Sequence, residues 1–100
     1  MPYERTIEIA VADGVLVRFN QSGRPIERYS VVLLLLVDGT WETVRVYDNH
    51  RGTHHLHRYT RSSGKQDPEP FHSGPTHEAI PAAIAHLKAH WEAIIQSWHT

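Results

Sequence analysis

The sequence predicts an α+β fold: an antiparallel five-stranded β-meander, open or partly curled, with one C-terminal helix packed on one face. Three observations carry this. Short runs through residues 4–60 alternate apolar and polar side chains with the period of two that a half-buried strand requires. Asp13-Gly14 and Asp38-Gly39 punctuate these runs with hairpin chemistry. Near the end, Ile80, Ile84, Leu87, Trp91, Ile94 and Trp98 recur at spacings of four, three, four, three and four, one stripe of a helix.

The elements follow in order. Residues 4–11 place Tyr3, Arg5, Ile7, Ile9 and Val11 on one face. Asp13-Gly14 suits a type I′ turn, which needs positive φ at both central residues. Residues 15–20 return with Val15, Val17 and Phe19 inward. Gly23 and Pro25 mark the next turn. The third strand spans about residues 26–37, and its second half, Val31 to Val37, is apolar at every position. Such a run is buried on both faces, so it is predicted to be the central strand. Residues 40–48 pair with it through Asp38-Gly39, with Val44 and Val46 on one face and Trp41, Thr43, Arg45 and Tyr47 on the other. A short fifth strand covers residues 54–60. Here His55, His57 and Tyr59 oppose His54, Leu56 and Arg58. Residues 61–76 hold Gly64, Pro68, Pro70, Gly74 and Pro75 and read as one long loop. Thr76 is the expected N-cap. Pro81 predicts that the regular helix starts near it. One helix covers one face of the sheet, so the second apolar face of strand three calls for another cover.

The chain of 100 residues fits a single domain over residues 1–100. With 40% hydrophobic and 21% charged residues it has the composition of a folded protein. No cysteine is present, which excludes disulfides and thiolate chemistry. No apolar run of membrane-spanning length and no signal-peptide pattern is found, so no membrane association and a cytoplasmic location are expected. The net charge of -1 argues against a strongly basic nucleic-acid glove. That average hides a local excess. Five of the nine histidines lie between His50 and His72, interleaved with Arg45, Arg51, Arg58, Arg61 and Lys65.

Tyr47-Asp48-Asn49-His50-Arg51-Gly52-Thr53-His54-His55-Leu56-His57-Arg58-Tyr59 is the chemically distinctive segment. Two imidazoles, or an imidazole and a carboxylate, can move the protons of phosphodiester cleavage near neutral pH. Arg stabilises the charge that develops on phosphorus, and Tyr orients or donates. The candidate catalytic residues are therefore His55, His57, Asp48, His50, Arg45 and Tyr59. No cofactor or metal is required by this scheme. The alternatives are a non-enzymatic accessory module that binds protein or a metal, through Asp48, His55 and His57, or histidines that are merely tolerated at an exposed strand edge. His86 and His90 have the i, i+4 spacing of a helical ligand pair, but His86-Leu87-Lys88-Ala89-His90 lacks the glutamate of the HExxH motif. They are expected to flank the apolar stripe.

The run from Val46 to His57 resembles the signature of small histidine-rich bacterial families. In these, a strand ends in Asp-Asn or Asp-Thr and a His-Gly-x-x-His or His-His-x-His run follows. Here the matching parts are Asp48-Asn49 and His54-His55-Leu56-His57. The helical segment from Ala82 to Glu92 is also similar. One such group, the TumE-type proteins, is the toxin half of toxin–antitoxin pairs. The resemblance covers roughly the second half of the chain. It implies a small toxin-like protein with an antitoxin partner, and the acid–base chemistry of the segment then makes a metal-independent ribonuclease with an RNA substrate the expected activity. The uncovered apolar face independently predicts a homodimer or a stable complex with another protein.

Overall fold

Seven strands and one helix make up the described chain, residues 3–50 and 52–100 of a computed structural model. β1 (Glu4–Ala12) and β2 (Val15–Ser22) form the first hairpin, with Ile7 opposite Phe19 and Ile9 opposite Val17. β3 (Arg28–Val37) and β4 (Thr40–Asp48) form the second. β5 (His54–Thr60) adds to β4. The α+β class and the antiparallel meander are as the alternation predicted. The sheet is open, in the order β1-β2-β3-β4-β5-β6, with β7 also paired to β5.

The two Asp-Gly turns differ. Asp38 and Gly39 both have positive φ (49° and 80°), as a type I′ turn demands. At Asp13-Gly14 only Gly14 does (73°), and the register shifts between Ala10 and Ala12. The bulge supplies the twist that the primed turn supplies at the other hairpin.

The long loop expected over residues 61–76 is partly strand. β6 (Gly64–Lys65) and β7 (Glu69–His72) both pair with β5. Pro70 has no N–H to give, which an edge strand tolerates. β5 is therefore an interior strand over most of its length, flanked by β4 and β7. That is why His54 and His57 are buried rather than exposed at an edge.

α1 (Thr76–Trp98) packs against β3, β4 and β5. Pro75, not Thr76, is the N-cap, and the cap has no side-chain hydrogen bond. The helix runs through Pro81, whose missing N–H falls opposite the carbonyl of exposed His77. Ala79, Ile80, Ala83, Leu87, Ile94 and Trp98 close over Val17, Phe19, Tyr29, Val31, Leu33, Val44, Tyr47 and Leu56. Among the described residues no helix is long and apolar enough to cross a membrane.

β3 is buried on its helix side at Val31 and Leu33, and on the other side at Leu34. Val32 is half-buried. Burial then fades: Leu36 and its cross-strand partner Trp41 are 43% and 45% exposed. The second face of the central strand is covered only in part.

Candidate functional site

The register of β4 against β5 decides which histidines meet. Directly opposed residues of an antiparallel pair share a face. His57 lies opposite Val46 and His55 opposite Asp48, on the outer face. Tyr47 lies opposite Leu56 and Arg45 opposite Arg58, on the helix face. Alternation alone matched these faces the other way, with Arg45 and Tyr47 beside His55, His57 and Tyr59. The reason for the difference is a β-bulge: the register against β3 shifts between Leu33 and Leu34, where Val44 is the extra residue. Trp41 and Thr43 therefore lie on the outer face, while Arg45 and Tyr47, expected on the same face as them, turn under α1. The Tyr47 ring and the stem of Arg45 fill space beneath α1, leaving them 1% and 5% exposed. Val46 is left on the outer face.

On that outer face Asp48 is the hub. Its carboxylate is nearly buried, 3.8 Å from His57 Nε2 and 4.0 Å from His50 Nδ1. The backbone N–H of His50 donates to Asp48 Oδ1 at 3.3 Å. His57 Nδ1 is 3.2 Å from the Gln66 carbonyl, which can only accept, so Nδ1 carries the proton and Nε2 faces Asp48. His50 is exposed, whereas His57 is sealed in. His55, half-buried, has Nε2 3.0 Å from the Thr53 hydroxyl. Burial, and secondarily the negative charge of Asp48, raises the Tyr59 pKa, so this phenol stays a neutral donor. Asn49 is structural: its Oδ1 accepts from the Tyr29 N–H and its Nδ2 donates to the Glu27 carbonyl, both at 3.0 Å, tying the end of β4 to the start of β3.

Beside this hub opens a cleft of about 410 Å³. Arg5, Thr6, Asn20, Arg28, Ser30 and His50 line it, with Glu4 its carboxylate. Ser30 is the cross-strand neighbour of Asp48, and Asn20 bridges Ser30 and Thr6 by side-chain hydrogen bonds of 3.2 and 2.8 Å. Nothing in the pattern of β1 or β3 singles out Arg5 or Arg28, because the cleft exists only where the strand ends meet. Arg51, counted in the basic segment, lies outside the described residues.

Beneath the helix a second polar set is held apart from the first. The Tyr29 hydroxyl donates to His54 Nδ1 at 2.8 Å, and His54 Nε2 donates to the Gly74 carbonyl at 2.8 Å. Both ring nitrogens are thus committed, and His54 is a buried structural strut. Burial, with the charge of Asp48 adding to it, pushes the Tyr29 phenol above its usual range. Tyr29→Phe leaves His54 Nδ1 unsatisfied and is expected to cost about 1–3 kcal/mol. A denaturation midpoint equal to wild type would count against this role.

Arg45, Tyr47, Phe71 and His86 gather on the same side. Tyr47 meets Phe71 edge-on at 4.9 Å between centroids, and His86 lies 6.3 Å from the Tyr47 ring and 4.7 Å from His90. Burial raises the Tyr47 pKa, against the opposing pull of Arg45 and then Arg58. Burial, then the proximity of His90, Arg45 and Arg58, lowers that of His86. The helical stripe correctly left His86 and His90 exposed beside it. Among the described residues no group of three or more His, Asp or Glu side chains is placed to hold a metal ion.

Fold and site together define a small α+β protein in which an open antiparallel sheet, capped by one helix, carries a carboxylate–imidazole cluster at the mouth of an arginine-lined cleft. Its family is defined over almost the whole chain. The protein belongs to the DUF7718 family, described as a domain of unknown function, whose model matches residues 2–100. No curated protein and no solved structure matches the chain.

Proposed function

We propose that this is a small toxin-like ribonuclease that cleaves RNA by side-chain acid–base chemistry at the outer face. The supporting observation is the Asp48 carboxylate, set between His50 and His57 and across the ladder from His55, beside a cleft that Arg28 of the same face lines. Asp48 orients His50 through Nδ1, which leaves Nε2 free to accept the proton of a ribose 2′-hydroxyl. The 2′-oxygen forms its bond to phosphorus as the bond from phosphorus to the 5′-oxygen breaks. His55, entering as the imidazolium, gives its proton to that leaving oxygen. The products are a 2′,3′-cyclic phosphate and a 5′-hydroxyl. Arg28, on the same face as Ser30 and Asp48, holds a phosphate, which positions the strand without reading its bases. His57 packs behind Asp48 and closes the site from within. Arg45, on the other face, takes no part.

The test is incubation of the purified protein with single-stranded RNA and with the same strand carrying 2′-deoxyribose throughout. Cleavage of the first alone, with cyclic-phosphate ends, is expected. No cleavage of RNA, or equal cleavage of both strands, would remove this reading.

A partner-binding role draws on a different observation. Leu36 and Trp41 face each other across β3 and β4 and both stay exposed. We propose that a second copy of the chain covers them, with an antitoxin competing for the same surface. Light scattering should give a dimer that Leu36→Ser with Trp41→Ser reduces to a monomer. A monomeric wild type at high micromolar concentration would defeat the dimer.

A further inference from the structure

The space beneath α1 is unexplained by the outer-face chemistry. Tyr47, Leu56, Phe71, Ala82 and His86 line a cleft of about 260 Å³ between the helix and the sheet. Its volume falls just below the roughly 300–1,000 Å³ of drug-sized sites, so it has room for a single ring with a short side chain. Three of its walls, Leu56, Phe71 and Ala82, are apolar. Tyr47 brings its hydroxyl to the lining, and Arg45, two residues away on the same face of β4, stands behind it. The Tyr47 hydroxyl and Arg45 Nε are both buried with no formed hydrogen bond among the described residues, although the Arg45 guanidinium stands close enough to act on the Tyr47 hydroxyl. Arg45 is 5% exposed and forms no ion pair among the described residues, although its charge reaches the Tyr47 hydroxyl.

A buried cation without a counter-charge is costly, by several kcal/mol in general, and a buried donor without an acceptor costs about 1–3 kcal/mol. Both costs are relieved by one event, the arrival of an anion. Cross-strand Arg58 adds a second cation on this face, although Glu69 already pairs with it at 2.7 Å. The apolar walls exclude a fully hydrophilic anion such as free phosphate, which would lose its hydration against Leu56 and Phe71.

We propose that this cleft is a binding site for a small monocarboxylate with an aromatic or apolar body. The carboxylate accepts from the Tyr47 hydroxyl, with the Arg45 charge behind that hydroxyl, and the ring lies against Phe71 and Leu56 under Ala82. The site is independent of the outer-face chemistry: no residue of the Asp48 cluster lines it.

Phenylacetate is the probe, with its neutral isostere phenylacetamide and inorganic phosphate as comparisons, each titrated into the full chain and followed by NMR. Saturable shifts at Tyr47, Phe71, Ala82 and His86 are expected with phenylacetate. Phenylacetamide should bind at least tenfold more weakly, and phosphate should not compete. Tyr47→Phe removes one hydrogen bond to a charged group and should weaken binding roughly ten- to hundredfold. Ala82→Leu fills the cleft from the helix surface, where Ala82 is exposed, and should abolish saturation without unfolding the protein.

A further readout separates a ligand site from a merely structural one. His86 is faced by His90 on its own helix, by Arg45 and Tyr47 from β4, and by Arg58 from β5. Bound phenylacetate brings the missing negative charge to this group and should move the His86 titration midpoint upward. The proposal is overturned if wild type shows no saturable shift, if phenylacetamide or phosphate binds as well as phenylacetate, or if Ala82→Leu binds unchanged. Should Tyr47→Phe fail to fold, the Ala82→Leu and phenylacetamide results decide alone.

Discussion

His50→Ala and His55→Ala should each lower RNA cleavage by about 10²- to 10⁴-fold, the usual contribution of one general acid or base. His50 is exposed and His55 half-buried, and neither belongs to the core. The loss should therefore appear in kcat with the denaturation midpoint little changed. Asp48→Asn should give a loss of similar order, because the amide keeps the shape but removes the charge that orients His50. His57→Ala is the less clean experiment: its ring is buried and bonded to the Gln66 carbonyl, so a loss there mixes chemistry with stability. Arg45→Lys should leave cleavage intact, since Arg45 stands on the opposite face. Undiminished activity in both His50→Ala and His55→Ala, measured on a wild type that does cleave, would sink the assignment of the catalytic pair.

Trp98→Ala should be the most damaging single truncation for stability, at about 3–5 kcal/mol. Trp98 is 4% exposed at the end of α1. Its carbonyl accepts from the Arg61 N–H at 2.7 Å, and the Arg61 guanidinium lies over its ring at 5.8 Å. Ser62 Oγ donates to the Thr100 carbonyl at 3.1 Å just beyond it. Removing the ring opens a cavity where the helix is fastened to the end of β5. Each kcal/mol lost lowers the Tm of a domain of this size by about 4–8 °C. The contrast is Trp41→Ala, an exposed tryptophan on the other face, which should change the monomer's stability by no more than about 0.5 kcal/mol. Comparable losses at Trp41 and Trp98, measured by denaturant titration, would contradict the packing described.

The strand boundaries were legible because each was written twice, in the alternation and in the turn that follows it. Asp38-Gly39 both ends a seven-residue apolar run and permits positive φ at two positions, and the structure turns there. The helix was legible for the same reason: a stripe of six large apolar residues repeats with no competing period. β6 and β7 were not. Four residues containing a proline, Glu69–His72, carry too little pattern to mark a strand, and their pairing partner is ten or more positions away.

The outer cluster was half legible. Sequence proximity and a shared face were enough to bring Asp48, His50, His55, His57 and Tyr59 together. What alternation could not decide was which face of β4 meets which face of β5. A period of two labels the faces of a strand only while its ladder is unbroken, and the β-bulge at Val44 breaks it: Trp41 and Thr43 stay on the outer face while Arg45 and Tyr47 turn inward. With that extra residue in β4 the Tyr47 ring and the Arg45 stem lie buried under α1, and Arg45 leaves the cluster. The lining of the outer cleft comes from β1, β2, β3 and the end of β4 and is assembled only by the tertiary pairing of those strands. The sequence by itself thus determined the elements, the turns and the chemical content of the β4–β5 segment, which depend on neighbours along the chain. The tertiary structure alone decided the face matching, the burial of Arg45 without a counter-charge and the two clefts, because each depends on which distant surfaces exclude water together.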